Sequence, residues 1–173
     1  MCFRLSRFNL AAFGLLFTVA AIGPATPVPA QPAATAAAPF DNMAGAWSGT
    51  GSITLGNGDK ERIRCRVTYH VTQDGNRVEQ DLRCASDSYK FELTSDLTSV
   101  NGSVTGRWNE KTLGTGGPIS GRVTPDRIVA TADTSGFAAL ITMITRGDTQ
   151  SVRIESKSLD ISDVTIMLRR SSR

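Results

Sequence analysis

Histidine is nearly missing from this chain of 173 residues: His70 is the only one, and cysteine occurs only three times, as Cys2, Cys65 and Cys84. No cluster of histidine and cysteine has the spacing of a metal centre, and a nucleophile-plus-base pair would have to be assembled around His70 alone. Aromatic residues make up 6%, so any core is built mainly from aliphatic side chains. The longest apolar stretch, Phe8 to Ile22, has 15 residues, short of the roughly 20 that a membrane-spanning helix needs. From Gly45 onward no convincing 3.6-residue apolar period is present, which argues against helices. These absences leave an all-β, non-enzymatic chain without a cofactor.

The apolar stretch follows Arg4 and Arg7 and leads through Gly23-Pro24 to Val28-Pro29-Ala30, small residues where a leader peptidase cuts. Residues 1–30 read as a secretory signal peptide, with an uncleaved anchor as the lesser alternative. Cys2 precedes the apolar stretch, so it is not a lipoprotein cysteine and leaves with the leader. Of the 19 basic side chains two go with it, leaving 17 against 16 acidic ones and a net charge of +1. Nucleic acid is therefore not an expected partner. The mature chain is expected in the periplasm or outside a bacterial cell, with no transmembrane segment. Residues 31–43, rich in alanine and proline at their start, read as a flexible tether, and residues 44–171 as one domain.

Period-2 segments predict ten strands near 45–55, 61–72, 77–84, 88–98, 103–110, 118–124, 127–133, 137–146, 149–157 and 163–170. The links between them are short and rich in turn residues, among them Asp74-Gly75, Asn101-Gly102, Pro125-Asp126 and Gly147-Asp148. A two-residue type I′ turn at Asp74-Gly75 pairs positions whose numbers sum to 149. Cys65 then faces Cys84, which implies a disulfide formed in an oxidising compartment, at a hydrogen-bonded pair with Cα atoms about 5.5 Å apart. The same register puts Ile63, Val67, Tyr69, Val78, Gln80 and Leu82 on one face, and Arg62, Arg64, Arg66, His70, Glu79, Asp81 and Arg83 on the other. The Asn101-Gly102 turn sets Phe91, Leu93 and Leu97 beside Val104, Gly106 and Trp108, and Gly147-Asp148 sets Ile141 and Met143 beside Val152 and Ile154.

An even number of antiparallel strands with short loops can close on itself, so the expected architecture is a single up-and-down β-barrel of about ten strands. A two-sheet β-sandwich is the alternative, since alternation does not reveal closure. Gly45-Ala46-Trp47 opening the first strand, with Arg169-Arg170 ending the last, resembles the calycin superfamily, the lipocalin-like barrels. The resemblance implies that Trp47 lies at the closed end with Arg170 packed across it, and it implies binding of a small ligand. It also brings in small bacterial disulfide-bonded barrels that inhibit proteases through a flexible N-terminal segment, the place taken here by Gln31 to Met43.

Inward glycines at 49, 51, 106 and 121 allow two readings: they let strands bend around a small barrel, or they leave the lumen open for one small molecule. On the second reading Tyr69, Gln80, Tyr89, Phe91, Gly106, Trp108, Gly121 and Met143 line the ligand site, with Tyr69 and Gln80 orienting the ligand's polar end or bonding one another as cross-strand neighbours. The expected partners are a small apolar or amphipathic ligand or an envelope protein, and a purely structural envelope role with a filled core is a third reading. The arginine face, where Arg66 opposes Arg83, reads as a solvated surface neutralised by Glu79 and Asp81, or as an anion or partner site. Asp133-Thr134-Ser135-Gly136, Arg146-Gly147-Asp148 and Asn101-Gly102-Ser103 match short functional patterns, but turn chemistry accounts for the last two and an extra residue interrupts the first.

Overall fold

The structure, a computed structural model, describes residues 38–156 and 160–172. The expected leader and residues 31–37 of the tether lie outside the described residues. After a 3-10 turn at Asp41–Met43 come ten strands: β1 (Gly45–Leu55), β2 (Lys60–Val71), β3 (Arg77–Ala85), β4 (Lys90–Val100), β5 (Ser103–Glu110), β6 (Thr115–Thr124), β7 (Arg127–Asp133), β8 (Ala138–Arg146), β9 (Thr149–Ser156) and β10 (Ile161–Arg170). Each pairs antiparallel with its neighbours in sequence, and β1 pairs with β10, so the sheet closes into a barrel rather than a sandwich. Closure removes both free edges and satisfies their backbone groups. The strand β6 starts three residues earlier than the expected 118, since Gly116 and Gly117 pair with Asn109 and Trp108.

Alternating side chains do the rest. Ile63, Cys65, Val67, Tyr69 and Val78 are buried while Arg62, Arg64, Arg66, His70 and Glu79 are exposed, as the hairpin register requires. Cys65 pairs with Cys84 in the ladder and is disulfide-bonded to it. The turn that sets this register is not the expected one. Thr72 N donates to Arg77 O at 3.0 Å, closing a four-residue loop, and of Asp74 and Gly75 only Gly75 has a positive φ, 62°. A four-residue loop keeps the sum of 149 but shifts the hydrogen-bonding phase by one pair. Cys65 and Cys84 therefore occupy a non-hydrogen-bonded pair, whose Cα atoms approach more closely, here to 4.1 Å.

The wider loop serves as a seat. Phe40 N donates to Gly75 O at 3.1 Å, and a side chain at Gly75 would collide with Ala38 and Asp41. Phe40 and Met43 are both buried. The second half of the expected tether, from residue 38, is thus a plug in the barrel's closed end.

Arg170 locks this plug to the seam. Trp47 and Arg170 are partners in the β1–β10 ladder, and the guanidinium lies 4.2 Å from the centroid of the Trp47 ring. It also donates to Asn42 O at 2.8 Å, to Ala44 O, and to Asp148 Oδ1 at 3.0 Å. Trp47 Nε1 in turn donates to Met43 O at 2.7 Å. One planar cation thereby joins the plug, both terminal strands and the β8–β9 turn. Lysine keeps the charge but loses the fork and the stacking. Arg170→Lys should lower the unfolding free energy by about 1–3 kcal/mol at an unchanged denaturant slope, read from urea denaturation curves; a midpoint equal to that of the parent would mean that charge alone holds the seam.

Candidate functional site

The end opposite the plug is hollow. A cavity of about 220 Å³ occupies the barrel interior there, and its wall is almost wholly apolar. Its floor is Met43 from the plug with Val78, Leu97, Ile128, Met143 and Ile166. Phe91, Phe137, Ile161 and the largely exposed Leu113 stand at its mouth. Gln80, Ser95 and Trp108 form a band at mid-height, adjacent because Gln80 pairs with Ser95 and Ser95 with Trp108 in the β3–β4–β5 ladder.

Alanines leave the space. Ala130, Ala132 and Ala139 line the wall where β7 meets β8, with Ala132 directly opposite Ala139. The glycines singled out in the sequence do something else. A Cβ at Gly106 would lie 2.1 Å from Asp96 O and one at Gly121 2.2 Å from Val129 O, and Gly49 and Gly51 face equally close carbonyls of β10. At these positions a neighbouring strand's backbone occupies the place of the side chain, which is the bending role and not an opening of the lumen. Neither Gly106 nor Gly121 lines the cavity.

Of the other expected lining residues, Gln80, Phe91, Trp108 and Met143 face the cavity and Tyr69 and Tyr89 do not. Tyr89 stacks on Phe91 at the rim, with ring centroids 6.1 Å apart. Tyr69 points across the closed end instead of towards Gln80. Its hydroxyl donates to Gln150 Oε1 at 2.8 Å, and Gln150 Nε2 donates to Thr145 Oγ1 at 2.9 Å. Burial raises the Tyr69 pKa and the bond to Gln150 only partly offsets that, so the phenol stays protonated and serves as a fixed donor within the core. Nothing in the local pattern announces this contact, because Gln150 is 81 positions away and three strands round the barrel. The sequence does carry a signal for the alanines: Ala139 shares parity with Ile141 and Met143, and Ala130 and Ala132 share parity with Ile128.

Five polar side chains reach the wall: Gln80, Ser95, Glu110, Thr115 and Ser156. Glu110 is buried and spends both oxygens on backbone donors, Oε1 on Glu92 N (2.9 Å) and Thr112 N (3.1 Å), Oε2 on Leu113 N (2.5 Å). Burial alone would raise its pKa, but these N–H groups outweigh it and hold the carboxyl below its ordinary value. Glu61 pins a second mouth loop in the same way, accepting from Ser86 Oγ at 2.7 Å and Ser88 N at 3.2 Å. Gln80 and Ser95, by contrast, make no side-chain hydrogen bond among the described residues. Among the described residues no lysine, arginine or histidine lines the cavity.

On the outer surface Arg66 does oppose Arg83 and His70 does oppose Glu79. The expected neutralisation is absent among the described residues. Glu79 pairs instead with Arg77 at 2.8 Å, which also holds Asp96. No group of three or more histidine, cysteine, aspartate or glutamate side chains that could hold a metal ion occurs among the described residues, and no described helix is long and apolar enough to cross a membrane.

Among solved structures, the chain is similar to Rv2717c from M. tuberculosis, with a TM-score of 0.61 at 14% identity over 76% of this chain and 94% of that one. It is also similar to the S-type phycobiliprotein lyase CPES from Guillardia theta, with a TM-score of 0.56 at 10% identity over 78% of this chain and 91% of that one. Both are calycin-like barrels, and at such identities the likeness is one of fold. No protein-family model matches the chain and no curated protein sequence matches it significantly.

Two outcomes follow from the wall. Gly106→Leu should prevent folding, not merely fill the lumen, because its Cβ meets backbone that cannot step aside; loss of the far-UV β signal or of soluble protein checks this, and a folded variant would refute the close-packing account. Glu110→Gln should destabilise the protein at about pH 7. A carboxylate whose folded pKa is depressed contributes stability that is complete above its ordinary value of 4.5 and is lost as pH falls through the folded value. Thermal midpoints of parent and variant should therefore converge as pH falls through the folded value, whereas a constant gap would show that the carboxylate's charge is not involved.

Proposed function

We propose that this is an exported, non-enzymatic barrel that carries a small apolar molecule in its lumen. The observation behind the proposal is the cavity of about 220 Å³ walled by aliphatic and aromatic side chains and floored by the plug. By the scale of about 24 cal/mol per Å³ measured for core cavities, leaving such a space empty forgoes up to about 5 kcal/mol of packing. That is a large share of the roughly 5–15 kcal/mol by which a domain is stable, and an occupant recovers it. Carboxylates pin two of the loops at the mouth, so the site is formed before anything enters.

Export rests on the leader-like residues 1–30 and on the Cys65–Cys84 disulfide, which suits an oxidising compartment such as the periplasm. The lack of catalysis is inferred from the wall itself: among its described residues only Glu110 ionises, and its oxygens are already engaged. The inhibitor reading loses support because Phe40 and Met43, part of the segment that would enter a protease, are buried in the plug.

Ala139→Phe tests the proposal without touching the backbone. The ring should fill the space opposite Ala132, reduce binding of decan-1-ol, read by calorimetry, by at least about tenfold, and leave the thermal midpoint the same or higher. Undiminished decan-1-ol binding by a folded Ala139→Phe protein would move the ligand site out of the lumen.

A further inference from the structure

We infer that the lumen selects an uncharged ligand, an apolar body with one hydrogen-bonding group that meets Gln80 and Ser95, and excludes the carboxylate anion of the same shape. This rests on the lumen being the binding site. It goes further by naming the ligand's charge state and the side chains that read its polar end.

Size comes first. An internal space of about 150 Å³ admits a benzene molecule, while pockets for drug-sized ligands run from roughly 300 Å³ upward. At about 220 Å³ this lumen suits a single ring or one alkyl chain. Charge then divides the candidates. Among the described residues the wall contains no lysine, arginine or histidine, and its one ionisable group, Glu110, is already an anion held by three backbone N–H groups. A carboxylate drawn inside would leave water without a counter-charge and approach a fixed negative charge near the mouth, which is unfavourable on both counts. The free cations Arg62, Arg64, Arg66 and Arg83 cannot help, since strand parity places them on the outer face.

Hydrogen bonding supplies the rest. Gln80 and Ser95 are directly paired across β3 and β4, face the cavity, and have no side-chain partner among the described residues. Together they offer an amide donor, an amide acceptor and a hydroxyl at one level of the lumen. The neighbouring indole does not compete for them, because Trp108 Nε1 already donates to Asp133 O at 3.2 Å. An alcohol, a carbonyl compound or an undissociated acid matches this pair. An ionised acid could accept from it but would keep its net charge in an apolar enclosure.

The test compares decan-1-ol with decanoate at about pH 8, where the acid is ionised, by calorimetry on the mature disulfide-bonded protein. The alcohol should bind at least about tenfold more tightly than decanoate, and decanoate should gain affinity as pH is lowered towards its own pKa. Gln80→Lys, which places a cation at mid-height, should reverse the order. Equal binding of alcohol and decanoate at about pH 8 overturns the charge selection while leaving the lumen site intact. A folded Gln80→Lys protein that still rejects decanoate shows that charge is not what excludes it. If neither ligand binds, the lumen reading itself fails, and this inference with it.

Discussion

Everything in this molecule depends on the seam where the first strand meets the last. An up-and-down sheet of ten strands has two edges until β1 and β10 pair, and the register that joins them brings Trp47 opposite Arg170. The cation lies over the ring and at the same time binds the carbonyls of Asn42 and Ala44 and the carboxylate of Asp148. A guanidinium can do this because its donors lie in one plane and diverge, so a single side chain satisfies backbone groups that closure would otherwise leave bare. Closing the seam and seating the plug are thus one event. The plug in turn gives the barrel a floor, and a floor makes the hollow half a pocket rather than a channel.

The two halves of the interior follow different rules. Near the plug, polar groups are buried and fully used, as in the Tyr69–Gln150–Thr145 chain. Such a chain is tolerated in a core only when each member is satisfied, and here it ties β2 to β8 and β9 across the interior. In the open half the wall is apolar, and the two polar side chains left free, Gln80 and Ser95, sit side by side. The contrast separates a part that holds shape from a part that can accept an occupant. The mouth belongs to the first kind: Glu61 and Glu110 are spent on loop backbone, which fixes the entrance but removes them from chemistry.

Much of this was legible because turns act locally and side-chain direction alternates. Once a short loop sets which residues face each other, parity runs the length of both strands, and the pairs Cys65–Cys84, Arg66–Arg83 and Leu97–Gly106 all follow. The hairpin at Asp74-Gly75 shows how robust this is, since the loop has four residues where a two-residue turn was expected and the pairing survived. What changed was the hydrogen-bonding phase, which the sequence pattern does not carry. The seam was foreseen from two end motifs. The site was only half legible. Parity correctly turned Gln80, Phe91, Trp108 and Met143 inward, but it could not say that Tyr69 would find Gln150, a contact across the barrel and not along the sheet. The inward glycines were ambiguous for a related reason: a missing side chain looks the same whether the space holds solvent, ligand or a neighbouring carbonyl. Alanine was the better guide, because its Cβ shows that the backbone has not closed in.

The central claim is that the hollow half of the barrel holds a molecule. Native mass spectrometry of the protein purified from the cells that make it, taken first under gentle conditions and then after denaturation, tests it directly. The account predicts a discrete small mass carried by the folded protein and released on unfolding, on a polypeptide two hydrogens lighter than its reduced form, and it predicts that added decan-1-ol occupies the same single site. A folded protein that shows only its polypeptide mass, and stays so when decan-1-ol is supplied well above the protein concentration, would contradict it.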